Sequence, residues 1–430
     1  MKRLFALALW MLVCSGIANG QTAPSGDTQT FELDAIAPPT PALKYQLMFD
    51  PVDSTSGNAA MAYTQAVLLL DKDAATDIPA ALQAGDDTFD ALAQSVYTKN
   101  QRVFTTLEIA GHCDSCDWQV TFGPHHIDSD VTQLRAIHML ANLIQIRAKQ
   151  LIHAGNVDDA LATLQLGYEL CDRTCQRPLF LSAYLSFVMT ISMDNQTAEL
   201  MNLPDSPNLY WALVSLPHPQ YEMRTALEGE RKSALFHGAD GMLTTPQDTA
   251  KMLQDASHDK DFAQAMQDAQ TYYAGTRNMS VDDVKKLDQA MVFDTYQYEL
   301  YSQHFDDWYK LFALPLPEMM AGQEAIEKKI AADPERWTIP PRIRQVQGLC
   351  RVERETAALT AVEAIRSYAA AKGGKLPAHL EDITDTPAPL NPWTAKPFDY
   401  QVDGGTATLS DPQPKDDPLT YTISILPQLP

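Results

Sequence analysis

"VTQLRAIHMLANLIQIRAKQLIHAGNVDDALATLQLGYELC" runs from Val131 to Cys171. Leu134, Ile137, Ala141, Ile144, Ala148 and Leu151 recur three and four residues apart, so a helix here carries one continuous apolar face. Ala154-Gly155-Asn156 breaks the period, and Gly is the residue that leaves helical geometry most cheaply. The period then resumes, with Asp158 and Asp159 near the positive end of the second helix. The stretch predicts a helix–turn–helix hairpin.

The same helical spacing extends in both directions. It begins near residue 57 and continues over 177–201, 218–237, 246–275, 281–312, 318–332 and 344–372. Pro-rich breaks separate these segments, because proline lacks the N–H that a helix interior needs. After Lys372 the pattern changes. Gly373-Gly374 ends a long helix, and Phe398 to Val402 and Thr406 to Leu409 alternate around an Asp403-Gly404-Gly405 turn. A third strand is predicted over 419–426. The expected fold is mostly α: a body of antiparallel helix hairpins, TPR-like or α-solenoid-like, with a small C-terminal α+β subdomain of one helix and three antiparallel strands. The spacing of Ala148, Leu151, Ala160, Leu164 and Gly167 is similar to a tetratricopeptide unit. It departs from that unit at Arg147, and no second copy follows at the repeat offset.

The chain opens "MKRLFALALWMLVCSGIANG". Lys2 and Arg3, an apolar run from Leu4 to Val13, and Ala18-Asn19-Gly20 make a secretory signal peptide of residues 1–20. Val13 before Cys14 departs from the small residue that precedes a lipid-accepting cysteine. Residues 21–43 are rich in Pro and Thr and read as a flexible linker. A helical domain over 44–340 and a C-terminal subdomain over 341–430 complete the expected organisation. The expected location is the periplasm or the extracellular space. No later stretch is long and apolar enough to cross a membrane. The formal charge of −23 favours solubility and argues against sequence-blind nucleic-acid binding, which needs cations to displace phosphate counterions.

The chemistry concentrates in "AGHCDSCDWQV" (110–120), followed by Pro124-His125-His126. Cys113 and Cys116 with His112, His125 or His126 are candidate zinc ligands, but only half of a paired ligand set is present. Asp117 replaces the histidine of a haem-attachment motif. In an exported chain, nearby thiols oxidise, so Cys113, Cys116, Cys171 and Cys175 are candidates for structural disulfides. Cys171 and Cys175 stand about 5–6 Å apart on an intact helix, beyond the about 3.8 Å that a disulfide prefers between Cβ atoms. Other pairings among the four therefore stay open. Cys350 reads as a small buried residue.

Elsewhere the residues read as structure. The zinc-protease, serine-hydrolase and P-loop motifs are absent. Glu228/Glu230 and Glu353/Glu355 are two apart, so on helices each pair splits between faces. Asp411, Asp416 and Asp417 lack the oxygen ladder of a calcium loop. Tyr298, Tyr301, Phe305, Trp308 and Phe312 fall at helical spacing. They offer a core stripe or an aromatic groove.

"HCDSCDWQV" (112–120), the hairpin above and "ALEGERKSAL" (226–235) resemble a family of exported, uncharacterised bacterial helical proteins, and the likeness continues through "ERETAALTAVEAIRSYAAAKGGKLPAHLEDI" (353–383). The tail "GGKLPAHLEDI…LNPWTAKPFDYQVDGGTATLS" also resembles the C-terminal domains of type II secretion pseudopilins. It departs from them at Asn391, and the chain lacks their N-terminal hydrophobic helix. The first resemblance implies no catalytic or cofactor residues, and the second implies a shared small fold. The function expected from the sequence is an exported, non-enzymatic binding or scaffold protein of the cell envelope with a protein or peptide partner. No cofactor or bound metal is expected. The alternative is an envelope hydrolase or metal-dependent enzyme with its site near residues 105–130.

Overall fold

The computed structural model describes residues 28–121, 126–237, 260–332, 343–413 and 417–427. The expected signal peptide and Cys14 lie outside these residues. So do the start of the linker, His125 and the predicted domain boundary near 340.

The chain first forms strand β1 (Gln29–Leu33) and then β2 (Thr55–Asn58). Four short helices follow: α1 (Ala59–Leu68), α2 (Ala74–Leu82), α3 (Asp86–Lys99) and α4 (Gln101–Gly111). Asn58 caps α1, its side chain accepting from Ala60 N–H at 3.1 Å, which satisfies one of the donors a helix start leaves open. Strand β3 (Cys113–Ser115) then pairs in parallel with β2.

The hairpin falls where its period placed it, as α5 (His126–His153) and α6 (Val157–Cys175). Gly155 takes the left-handed conformation (φ +67°) at the turn, and Asn156 caps α6 through Asp159 N–H. Leu134, Ile137, Ile144, Leu151, Ala160 and Leu164 are all buried. Each fully buried Leu or Ile contributes about 1.5–3 kcal/mol. Helix α7 (Phe180–Met201) packs against both members of the hairpin. Gly167 makes this approach possible, because a Cβ there would stand 2.2 Å from Met193 Sδ.

The chain continues through α8 (Tyr210–Val214), α9 (Arg224–His237), α10 (Lys260–Arg277), α11 (Val281–Val284), α12 (Gln289–Phe312), α13 (Leu316–Ala332) and α14 (Ile343–Ala371). Helices α10, α11 and α12 share a small core around Ala269, Val284 and Phe293. Helix α14 ends as its glycines dictate. Gly373 and Gly374 have φ of +65° and +83°, and Gly374 N–H reaches back to Ala369 O at 2.8 Å.

Strands β4 (Asp399–Asp403), β5 (Thr406–Asp411) and β6 (Leu419–Ile425) form the expected antiparallel meander. The molecule is therefore mostly helical with a small C-terminal sheet. The sheet has a fourth strand that the sequence reading missed. Within the stretch read as a flexible linker, β1 lies parallel to β6, giving the order β1-β6-β5-β4. Phe31 and Leu33 of β1 are fully buried, in the same apolar core as Ile423 of the sheet and Leu143 of the hairpin.

Buried polar groups tie these layers together. Tyr168 of α6 donates to Asp194 Oδ1 of α7 at 2.6 Å, and Thr356 of α14 donates to Asp194 Oδ2 at 3.1 Å. Burial pushes the Asp194 carboxyl up to about 8. Arg366 of α14 donates to the carbonyls of Asp34 (2.7 Å), Pro207 (3.2 Å) and Ser206 (2.6 Å). One guanidinium thus fastens the exit of β1, the turn before α8 and the last helix.

Candidate functional site

The "HCDSCDW" stretch is held by the segment that precedes α1. Thr55 N–H donates to His112 O at 2.7 Å, and Gly57 N–H donates to Asp114 Oδ1 at 3.0 Å. Ser115 Oγ donates to Gly57 O at 2.6 Å. Asn58 grips Asp117 twice, donating to its carbonyl and accepting from its N–H, both at 2.8 Å. The Asp117 side chain accepts from Gln119 N–H at 2.9 Å, and Gln119 sits in the left-handed region at φ 51°, which is uncommon for a residue with a side chain.

Trp118 anchors this loop to the hairpin. Its indole N–H donates to Arg173 O at 2.7 Å. Its ring lies parallel to Tyr63 at 6.1 Å, and the Arg177 guanidinium sits 5.7 Å from it. Arg173 donates in turn to Cys113 O at 3.3 Å and approaches Glu169 Oε2 at 3.4 Å. Phe49 N–H reaches the other oxygen of Glu169 at 3.2 Å. Burial pushes the Glu169 carboxyl up to about 7 against the opposing pull of Arg173. Glu169 Oε2 and Arg173 Nε meet only as an ion pair, and Tyr63 Oη is buried without a hydrogen-bond partner.

Outside this anchor lies an open cleft of about 710 Å³, within the range of small-ligand and peptide sites. One wall is the loop from Cys116 to Thr121. The floor is Gln176 and Pro178, where α6 passes into α7. The opposite wall is α9, through Arg224, Thr225, Glu228, Gly229 and Lys232. Gly229 sets how closely that wall approaches, because a Cβ there would lie 1.7 Å from Pro178 O. Arg224, Glu228 and Lys232 are four apart and share one helical face. Glu228 is paired with Arg231 at 2.7 Å. Lys232 has no ion-pair partner among the described residues.

The disulfide expectation is corrected. All five described cysteines are free thiols. Cys113 Sγ turns back to Ile109 O at 3.2 Å, whereas Cys116 Sγ faces Arg173 O at 3.8 Å, so the two sulfurs serve different neighbours. Cys171 and Cys175 lie one turn apart on α6, which stays helical through Cys175, and that geometry holds their Cβ atoms too far apart. Burial pushes the Cys116, Cys171 and Cys350 thiols up to about 12.

Among the described residues, no three of His, Cys, Asp and Glu converge as a metal-ligand set. His112 caps α4, and its ring packs on Phe49 at 4.3 Å. His125 is outside the described residues, and His126 is described only as the first residue of α5. The acidic loop after β5 is engaged by arginines: Asp417 Oδ2 accepts from Arg354 at 2.9 Å, and Asp411 Oδ2 lies 3.7 Å from it. Asp416 is outside the described residues. The aromatic row of α12 supplies core at its C-terminal end, where Phe305 and Trp308 are buried and Phe305 and Phe312 face Phe180.

Sequence reading found one wall of the cleft and missed the other. The available signal was "ALEGERK", a glycine among like-spaced charges on one helical face, but nothing local indicates which segment that glycine must approach. The chain matches no family model, no curated protein and no solved structure.

Proposed function

We propose that this chain is an exported, non-enzymatic binding protein of the cell envelope, and that it holds a protein or peptide partner in the cleft between the 116–121 loop and α9. The leader-like pattern of residues 1–20 supports export. The observation that carries the binding reading is the cleft itself. Val120 and Pro178 supply apolar surface, and Gln119, Gln176, Thr225 and Lys232 supply an exposed polar rim. That mixture suits recognition of a polypeptide. The titratable group in its lining with a strongly shifted value is Cys116, which burial moves away from reactivity. Stacked antiparallel helices, as in TPR-like arrays, commonly present such grooves to partners.

A photo-cross-linking residue placed at Thr225 in producing cells tests this reading. The expected result is a discrete adduct that is absent when the residue is placed at Val402 on the C-terminal sheet, and that disappears when Gln176→Trp fills the floor. Equal labelling at both positions, or none at Thr225, overturns it.

A further inference from the structure

We infer that the occupant of this cleft is an extended peptide segment gripped through one acidic side chain. The inference rests on the binding reading above and adds the chemistry of the partner. Two observations carry it. The first concerns the main chain of the loop wall. Among the described residues, the N–H and C=O groups of Val120 and Thr121 have no hydrogen-bond partner. Thr121 and Gln119 are exposed and Val120 is half-buried. A non-helical stretch with unpaired main-chain groups beside a cleft can pair with an extended chain, which brings donors and acceptors at matching intervals. The exposed amides of Gln119 and Gln176 add further donors and acceptors.

The second observation is the state of the four charges in the lining. Both acids are already engaged within the chain, Glu228 by Arg231 and Asp117 by Gln119 N–H. The cations are freer. Lys232 has no ion-pair partner among the described residues. Among the described residues Arg224 has only Glu222 at 3.5 Å, with both side chains more than half exposed, and such pairs contribute little. An incoming carboxylate therefore meets two available cations without displacing a strong internal pair. The charge of −23 over the whole chain acts against a polyanion such as nucleic acid or polyphosphate, because like charges repel at long range. One carboxylate on an otherwise uncharged segment satisfies both constraints.

Three pools of fluorescein-labelled octapeptides, capped at both ends and degenerate in Gly, Ser, Thr, Val and Leu, test this by anisotropy against the full chain. They differ only in a central Glu, Gln or Lys. The Glu pool is expected to bind about fivefold more tightly than the Gln pool, with the Lys pool weakest. Lys232→Gln with Arg224→Gln should bring the Glu and Gln pools together while leaving the thermal midpoint unchanged. Equal binding of all three pools, a preference for Lys, or a Glu preference that survives in the double variant overturns the acidic-anchor inference. Binding of none of them overturns the extended-peptide inference. In each of these cases a discrete adduct at Thr225 leaves the binding reading standing, so the two failures are distinguishable.

Discussion

Arg366 and Arg173 are both half of an arginine–glutamate pair on a central helix, and both reach out to main-chain carbonyls, yet their surroundings differ. Arg366 is fully buried and spends its nitrogens on Asp34, Ser206 and Pro207, with Glu363 at 3.5 Å. Glu363 in turn accepts from Leu209 N–H. Arg173 is partly exposed, donates to Cys113 O, and faces Glu169 Oε2 through its Nε at 3.4 Å. The first pair closes a seam of the fold. The second supports a loop beside an open cleft. Each pair leaves one glutamate oxygen, Glu363 Oε2 and Glu169 Oε2, buried without a hydrogen bond, so burial is what separates them: contacts held out of water are screened less than partly exposed ones.

The largest expected effect tests the closed seam. Arg366→Ala leaves Glu363 buried without its cation and removes the donors from three carbonyls. Urea unfolding should show a loss of about 3–5 kcal/mol. A loss below about 1 kcal/mol would mean the seam is held by apolar packing alone.

The cleft wall comes next. Gly229→Ala drives a methyl group into Pro178 O and should cost about 1–3 kcal/mol. Gly275→Ala, where an added Cβ meets nothing within 4 Å, should instead gain about 0.5–1 kcal/mol from helix propensity. Thermal unfolding of both variants checks the contrast, and two variants of the same sign would break it.

The Arg173 side also has a pH signature. Glu169 titrates near 7 in the fold against an ordinary value of 4.5. The native state therefore holds this proton more tightly than the unfolded chain does. Its contribution is full below the ordinary value and is lost as pH rises through about 7. Glu169→Gln should remove a decline of up to about 3 kcal/mol between those limits. Denaturation curves with the same slope in both proteins would rule out Glu169 as its source.

The smallest effect is chemical. Denatured without reductant, Cys113, Cys116, Cys171, Cys175 and Cys350 should each take one alkyl label, as read by peptide mass. A linked Cys113–Cys116 peptide would show that the loop is pinned covalently as well as by Trp118.

Local periodicity made most of the helices legible, and local glycines marked their ends. Gly373-Gly374 stops α14, and Gly404, at φ +60°, turns the hairpin between β4 and β5. What stayed hidden depends on partners distant in sequence. The five residues of β1 become a strand because β6 lies beside them. Cys113-Asp114-Ser115 pairs with a segment more than fifty residues earlier. The cysteines were misread because compartment argues for oxidation, whereas the sulfurs' own neighbours, Ile109 O and Arg173 O, are set by tertiary packing. The cleft needed α9, which nothing near residue 116 announces.

The parallel pairing of β1 with β6 has a consequence for the order in which the molecule is completed. A ribosome or an export channel that delivers the chain from its N-terminus releases Phe31 and Leu33 long before Ile423 exists to cover them. Those side chains must wait, exposed or provisionally sheltered, until β6 is free to pair with them. Such distant closure is slow and comes late, so a chain cut short before β6 would keep its helices and leave its first strand unclaimed.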